Sequence, residues 1–219
     1  MLKGIIFDLD GVLVDTESYQ WLGWVEVLKP YGITLHKQEY ILKYAGKTGT
    51  IIESELLKRY GLDAVDGALL HKKEKLLLKW FSERQIDLMP YARESVEFFH
   101  DKRLKTGIVS GGPRDEVELK LKRTGLHPLF QTIVSRSEVE RGKPNPDIYL
   151  LGLEKLGLES ADCVVFEDTQ YGVEAAVAAG ITCLAIPNEF SRNQDFSKAD
   201  KMSNNLREAV NWVKQTYNL

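Results

Sequence analysis

Two aspartates stand one residue apart in Phe7-Asp8-Leu9-Asp10-Gly11, directly after the apolar run Gly4–Phe7. Side chains at i and i+2 of an extended segment point to the same side. Asp8 and Asp10 therefore share one small space at the carboxyl end of a strand, where open α/β sheets bind ligands. Gly11 lets the backbone turn sharply or approach a ligand closely. Taken alone, a D-x-D-G is a weak signal that more often marks a solvated turn or a cation loop. A calcium-binding helix–loop–helix is excluded, because Val12 and Leu13 stand at the third-ligand and loop-glycine positions and a strand leads in.

Three other segments carry groups of the same kind. Val109-Ser110-Gly111-Gly112-Pro113 ends the next apolar run with a hydroxyl, two glycines and a proline suited to a first helical turn. Such a turn offers free N–H groups to a phosphate, although an ordinary helix cap has the same composition. In Gly142-Lys143-Pro144-Asn145-Pro146-Asp147 two prolines stiffen a loop around one lysine. Val164-Val165-Phe166-Glu167-Asp168-Thr169 ends a further strand in adjacent carboxylates, which suit helix capping or a hard cation.

The elements that must bring these groups together are legible as short, nearly continuous apolar runs. Gly4–Phe7, Thr106–Val109, Cys163–Phe166 and Thr182–Ile186 are clear, and Thr132–Val134 is shorter. Unbroken runs of this kind mark strands covered on both faces. Between the later ones lie helical stripes: Tyr149, Leu153, Leu156; Val173, Ala176, Val177, Gly180; and Leu206, Ala209, Val210, Val213. The alternation predicts an α/β fold with a Rossmann-like, doubly wound parallel sheet. Thr16 to Arg84 differs, with helical stripes (Trp21, Val25, Leu28; Ile52, Leu56, Tyr60; Leu70, Leu77, Trp80) and no strand. It reads as an inserted α-helical subdomain, residues 16–85, joined through Asp15-Thr16 and Asp87–Pro90 to a core of residues 1–15 and 86–219.

In one parallel sheet all four segments converge on one edge. Like charges ~5 Å apart at an effective dielectric of about 20 repel by about 3 kcal/mol per pair. Lys143 alone does not offset Asp8, Asp10, Glu167 and Asp168, so a divalent cation is expected, and an all-oxygen ligand set points to Mg²⁺. Metal, lysine, hydroxyl and spare carboxylate together are equipment for phosphoryl transfer. Composition agrees with a small-molecule enzyme. In 219 residues, 29 basic against 32 acidic side chains leave a net charge of −3, without the basic field that nucleic-acid binding needs. No apolar run approaches the ~20 residues of a membrane span. Asp8 comes too early for a signal peptide. The two cysteines form neither a disulfide framework nor a zinc spacing. A soluble, cytoplasmic monomer without nucleic-acid or membrane partners is the expectation.

With these four ordered motifs the chain resembles the haloacid dehalogenase-like hydrolase superfamily, in particular its β-phosphoglucomutase-like phosphatase branch with a helical cap. The resemblance covers essentially the whole chain. It implies that Asp8 is a nucleophile forming an aspartyl-phosphate and Asp10 the general acid/base. It implies that Ser110, Gly111 and Lys143 hold the transferring phosphoryl group, and that Asp8, the main-chain carbonyl of Asp10, Glu167 and Asp168 bind Mg²⁺. Asp15-Thr16 matches the hinge into the cap, and Lys47-Thr48 after Gly46 is the candidate substrate-facing loop.

The expected activity is Mg²⁺-dependent hydrolysis of a small phosphorylated metabolite, with sugar phosphates among the candidates. A sugar-phosphate mutase is the alternative, but Gln20, Ala45 and Gly49 stand where the mutases have histidine, lysine and arginine. A non-enzymatic phospho-acceptor domain is a further alternative, although such domains are shorter and lack both the insertion and the paired aspartates. His36, His71, His100 and His127 are expected to be non-catalytic, Cys163 and Cys183 buried fillers, and Lys72, Lys73, Lys75 and Lys79 a solvated face.

Overall fold

Six parallel strands form one sheet in the order β3-β2-β1-β4-β5-β6 in the computed structural model, which describes Met1–Leu219. They are β1 (Gly4–Phe7), β2 (Lys105–Ser110), β3 (Thr132–Ser135), β4 (Cys163–Glu167), β5 (Thr182–Ala185) and β6 (Lys201–Met202). Five match the apolar runs. β6 is two exposed residues at the sheet's edge, and no apolar run marks it.

Successive strand residues enter opposite clusters, as the two-sided burial of unbroken apolar runs requires. Ile5, Phe7, Ile108, Val164, Phe166 and Leu184 face one layer; Ile6, Val109, Val134, Val165 and Cys183 face the other. The first layer is closed by helices α5 (Ala92–Asp101), α6 (Arg114–Arg123) and α9 (Leu206–Tyr217). The second is closed by α7 (Asp147–Leu156) and α8 (Gln170–Ala178). Both cysteines are buried as free thiols. The chain winds outward in opposite directions from β1, so a switch point lies where β1 meets β4.

Between β1 and α5 the chain is helical: α1 (Glu17–Leu28), α2 (Lys37–Lys43), α3 (Gly49–Tyr60) and α4 (Ala68–Glu83). These helices bury their own cluster around Trp24, Leu28, Tyr40, Leu56 and Leu69, with Phe190 supplied from the loop after β5. The far half of α4 instead packs Leu77, Trp80 and Phe81 into the sheet's first layer. The two crossing segments pair with each other: Asp15 N donates to the Asp87 carbonyl (2.9 Å) and Met89 N to that of Leu13 (3.0 Å).

Two stripes are rotated from expectation. On α1 the buried residues are Gly23, Trp24, Val27 and Leu28, while Trp21 turns so that its Nε1 donates to the Leu35 carbonyl (2.9 Å). On α8 Val173 and Ala176 are buried, but Val177 is exposed, as is Gly180 in the turn beyond the helix, and Gly172 and Ala175 complete the buried face. The reason is the approach of α8 to Glu167, described below. No helix is long and apolar enough to cross a membrane.

Candidate active site

β1 and β4 run side by side, with Phe7 opposite Phe166, and Asp8 N continues their pairing by donating to the Phe166 carbonyl (3.0 Å). Asp8, Glu167 and Asp168 thereby emerge together, all buried. Gly11 then has to sit against Asp168. Its φ is +78°, and a Cβ there would lie 2.2 Å from Asp168 Oδ2, so glycine is required both for the backbone angle and for the space. Asn188, in the loop after β5, donates from Nδ2 to Asp168 Oδ2 (2.6 Å).

Lys143 reaches into this cluster and spends all three of its donors there. Its Nζ donates to Asp8 Oδ1 (2.6 Å), Glu167 Oε1 (2.5 Å) and the Val109 carbonyl (3.2 Å). Glu167 Oε1 also accepts from the Tyr149 hydroxyl (2.5 Å), and Oε2 from the N–H groups of Asp168 (3.1 Å) and Thr169 (3.4 Å). Gly172 lets α8 close over that carboxyl, since a Cβ would stand 2.0 Å from it. Ser110 is buried at the end of β2, where its Oγ accepts from Gly112 N (3.1 Å), and Gly111 beside it is exposed.

The electrostatics follow from three carboxylates sharing one ammonium. Burial raises Asp8 well above the usual carboxylate range; Lys143 opposes that, and Glu167 and Asp10 add to it. Asp168 is raised by burial and then by Asp8 and Glu167. Burial would depress Lys143, but Asp8 and Glu167 outweigh it and hold the ammonium above the ordinary lysine range.

One oxygen each from Asp8, Glu167 and Asp168 lie within 4.8 Å of one another. Asp168 Oδ1 is buried with no hydrogen-bond partner, an uncompensated acceptor of a kind that folded proteins rarely leave. An orphaned carboxylate oxygen among acidic neighbours, with oxygen donors only, fits a hard divalent cation.

The cluster forms the floor of a cavity of about 140 Å³ between the sheet edge and the helical block. Asp8, Asp10, Ser110, Gly111, Lys143 and Asp168 line it, and so do Lys47 and Thr48 from the block. Lys47 is engaged by Glu55 (2.7 Å). None of the four histidines is among the lining residues.

Lys73 departs from expectation. It is buried, not solvated, and donates to Gln20 Oε1 at the cavity, and burial lowers its pKa. Its place on the inward side of α4, in register with Leu69, Leu70 and Leu77, explains the difference.

Sequence reasoning also missed Arg136, which lines the cavity and meets Glu74 (3.3 Å), and Glu17, pushed up to about 7 by burial and then by Asp10. It missed Lys120 on α6 as well, which donates to both Asp10 Oδ1 and Glu116 Oε1. The signal was present: Glu116 and Lys120 are four apart beside the apolar Val117 and Leu121, which puts the charged pair next to a buried stripe. Asp10 Oδ1 accepts from Thr16 Oγ1 too.

The chain is similar to known proteins in sequence and in fold. A phosphorylated carbohydrates phosphatase of Thermotoga maritima is 35% identical over 185 residues, 82% of each chain. The fructose-1-phosphate phosphatase YqaB of Escherichia coli is 30% identical over 183 residues, 84% of this chain and 95% of its own. The crystal structure of CbbY from Rhodobacter sphaeroides in complex with phosphate has the same fold, with a TM-score of 0.87 at 23% identity over 95% of this chain and 96% of that one. A family model for haloacid dehalogenase-like hydrolases matches residues 5–186. The chain with its paired aspartates and orphaned Asp168 oxygen belongs to the haloacid dehalogenase-like hydrolase family.

Proposed function

We propose that the protein is a Mg²⁺-dependent phosphatase that hydrolyses a small phosphorylated metabolite, of the sugar-phosphate class, through an aspartyl-phosphate on Asp8. The observation that carries this reading is the floor of the cavity, where Lys143 bridges Asp8 and Glu167 beside an unpartnered Asp168 oxygen. The names of the relatives, a phosphorylated carbohydrates phosphatase and a fructose-1-phosphate phosphatase, support the substrate class.

Asp8 attacks the phosphorus in line with the ester oxygen, splitting a slow displacement into two steps. Lys143 fixes the Asp8 carboxylate and presents positive charge to the non-bridging oxygens, while Ser110 and the N–H groups after it orient them. Asp10 gives a proton to the departing alkoxide and then takes one from the water that attacks the aspartyl-phosphate. Asp8, the Asp10 carbonyl, Glu167 and Asp168 would hold Mg²⁺, which when bound supplies charge neutralisation for the phosphoryl oxygens. Residues 16–85 act as a cap that excludes water during attack and opens afterwards. Lys47 and Thr48 contribute to substrate choice from that cap.

A mutase needs side chains that grip a second phosphate. Gly49 has no room for one without displacing Leu70, whose Cδ1 would be 2.4 Å from a Cβ, and Ala45 is buried. The test is a panel of phosphorylated metabolites scored by kcat/KM with and without Mg²⁺. Metal-dependent release of phosphate from sugar monophosphates is expected. Conversion of β-glucose 1-phosphate plus a bisphosphate primer to glucose 6-phosphate, without free phosphate, would replace this reading with the mutase.

A further inference from the structure

Lys120 is fully buried, yet its ammonium lies at the catalytic edge of the sheet. Its partners are Asp10 Oδ1 and Glu116 Oε1, and it sits over the Phe81 ring, 4.6 Å from the centroid. Burying a charge is costly unless its partners are well placed, so an ammonium at this depth holds its partners as firmly as they hold it. Thr16 Oγ1 donates to the same oxygen of Asp10. Two donors thus saturate Oδ1, while no protein group donates to Oδ2, and Asp10 lines the cavity.

We propose that Lys120 is a positioning residue for Asp10: with Thr16 it occupies Oδ1 and leaves Oδ2 as the oxygen that exchanges protons with the substrate. This rests on the phosphatase reading above and assigns it one further residue. As the P–O ester bond breaks and the Asp8–phosphorus bond forms, the proton on Asp10 Oδ2 passes to the departing alkoxide oxygen. The attacking water later returns a proton to the same oxygen.

The arrangement also reports the docking of the helical block. Phe81 belongs to α4, and Glu116 accepts from Gln20 Nε2 of α1 (3.2 Å). Lys120 and Glu116 come from α6, so the Asp10 carboxylate is set only when both α1 and α4 are seated on the core.

Leaving-group chemistry tests the assignment. An alkyl phosphate needs a proton delivered to its leaving oxygen, whereas a nitrophenyl phosphate does not. Lys120→Met should lower kcat/KM for the alkyl substrate by on the order of 30- to 100-fold, part of what a positioned acid supplies, and change the nitrophenyl value by less than about threefold. Because Lys120→Met strands a buried Glu116, the double variant Glu116→Gln/Lys120→Met is measured beside it and should keep the same selective loss at near wild-type Tm.

Equal losses on both substrates, or no loss on either, would overturn the role of Lys120. Absence of phosphatase activity in the wild-type protein on both substrates with Mg²⁺ would instead remove the reading on which it rests.

Discussion

A carboxylate buried beside one ammonium and two further carboxylates carries more negative charge than its surroundings neutralise. Asp8 and Asp168 are both raised for this reason, burial first and neighbouring acids after it. The sign of the pH effect follows. Between the unfolded value near 4 and the higher folded value, the native state binds more protons than the unfolded chain. The metal-free protein should therefore lose stability as pH rises through that interval. Mg²⁺ should reverse the loss, adding about 2.7 kcal/mol at a hundredfold excess over its Kd. Thermal unfolding at pH 5 and 7.5, with and without Mg²⁺, reads both effects, and a Tm that Mg²⁺ leaves unmoved would contradict the cation site.

Lys143→Ala belongs to the same scale. It removes the only ammonium shared by Asp8 and Glu167, and breaking a buried pair costs about 3–5 kcal/mol. Added Mg²⁺ should restore most of that stability but not turnover, whereas recovery of both would make Lys143 merely structural.

At the scale of the element, the cluster depends on how closely one helix approaches one strand end. α8 rides over Glu167 because residue 172 is glycine. Gly172→Ala should force the helix or the carboxyl to move, costing about 1–3 kcal/mol as over-packing and lowering kcat/KM by an order of magnitude or more. Unfolding and kinetics on this single variant check it; a neutral result would mean that α8 is free to shift.

The same approach explains what could be read beforehand. Strands buried on both faces write themselves as unbroken apolar runs, so β1 to β5 and the motifs that end β1, β2 and β4 were legible. Gly172 on the inward face of α8 was not, because it makes room for the Glu167 carboxyl rather than extending an apolar stripe. Lys73 and Lys120 were hidden for a related reason: a lysine on a helix looks solvated until its partners, Gln20, Asp10 and Glu116, arrive from distant parts of the chain. Such partners have no fixed spacing in sequence.

On the scale of the whole molecule, the loop after β5 ties the helical block to the site. Asn188 holds Asp168, Glu189 meets Lys37 (2.8 Å), Phe190 enters the block's apolar cluster and Gln194 Nε2 donates to the Ala45 carbonyl (3.1 Å). Phe190→Ala should weaken the seating of α2 by up to about 3–5 kcal/mol, the usual range for a buried phenylalanine. Hydrogen exchange should then quicken in α2 and α3 and not in β1 or β4. Uniform quickening across the chain would show that Phe190 stabilises the fold globally rather than the docking of the block.

The most direct test of the account is chemical capture of the Asp8 acyl phosphate. The protein is mixed with a sugar phosphate and Mg²⁺, quenched in acid within the turnover time, digested and mapped by mass spectrometry. A phosphoryl group on the peptide that contains Asp8, absent from a folded but inactive Asp8→Asn variant, is the predicted result. Sustained turnover with that peptide unmodified at every quench time, or turnover that survives in Asp8→Asn, would contradict it.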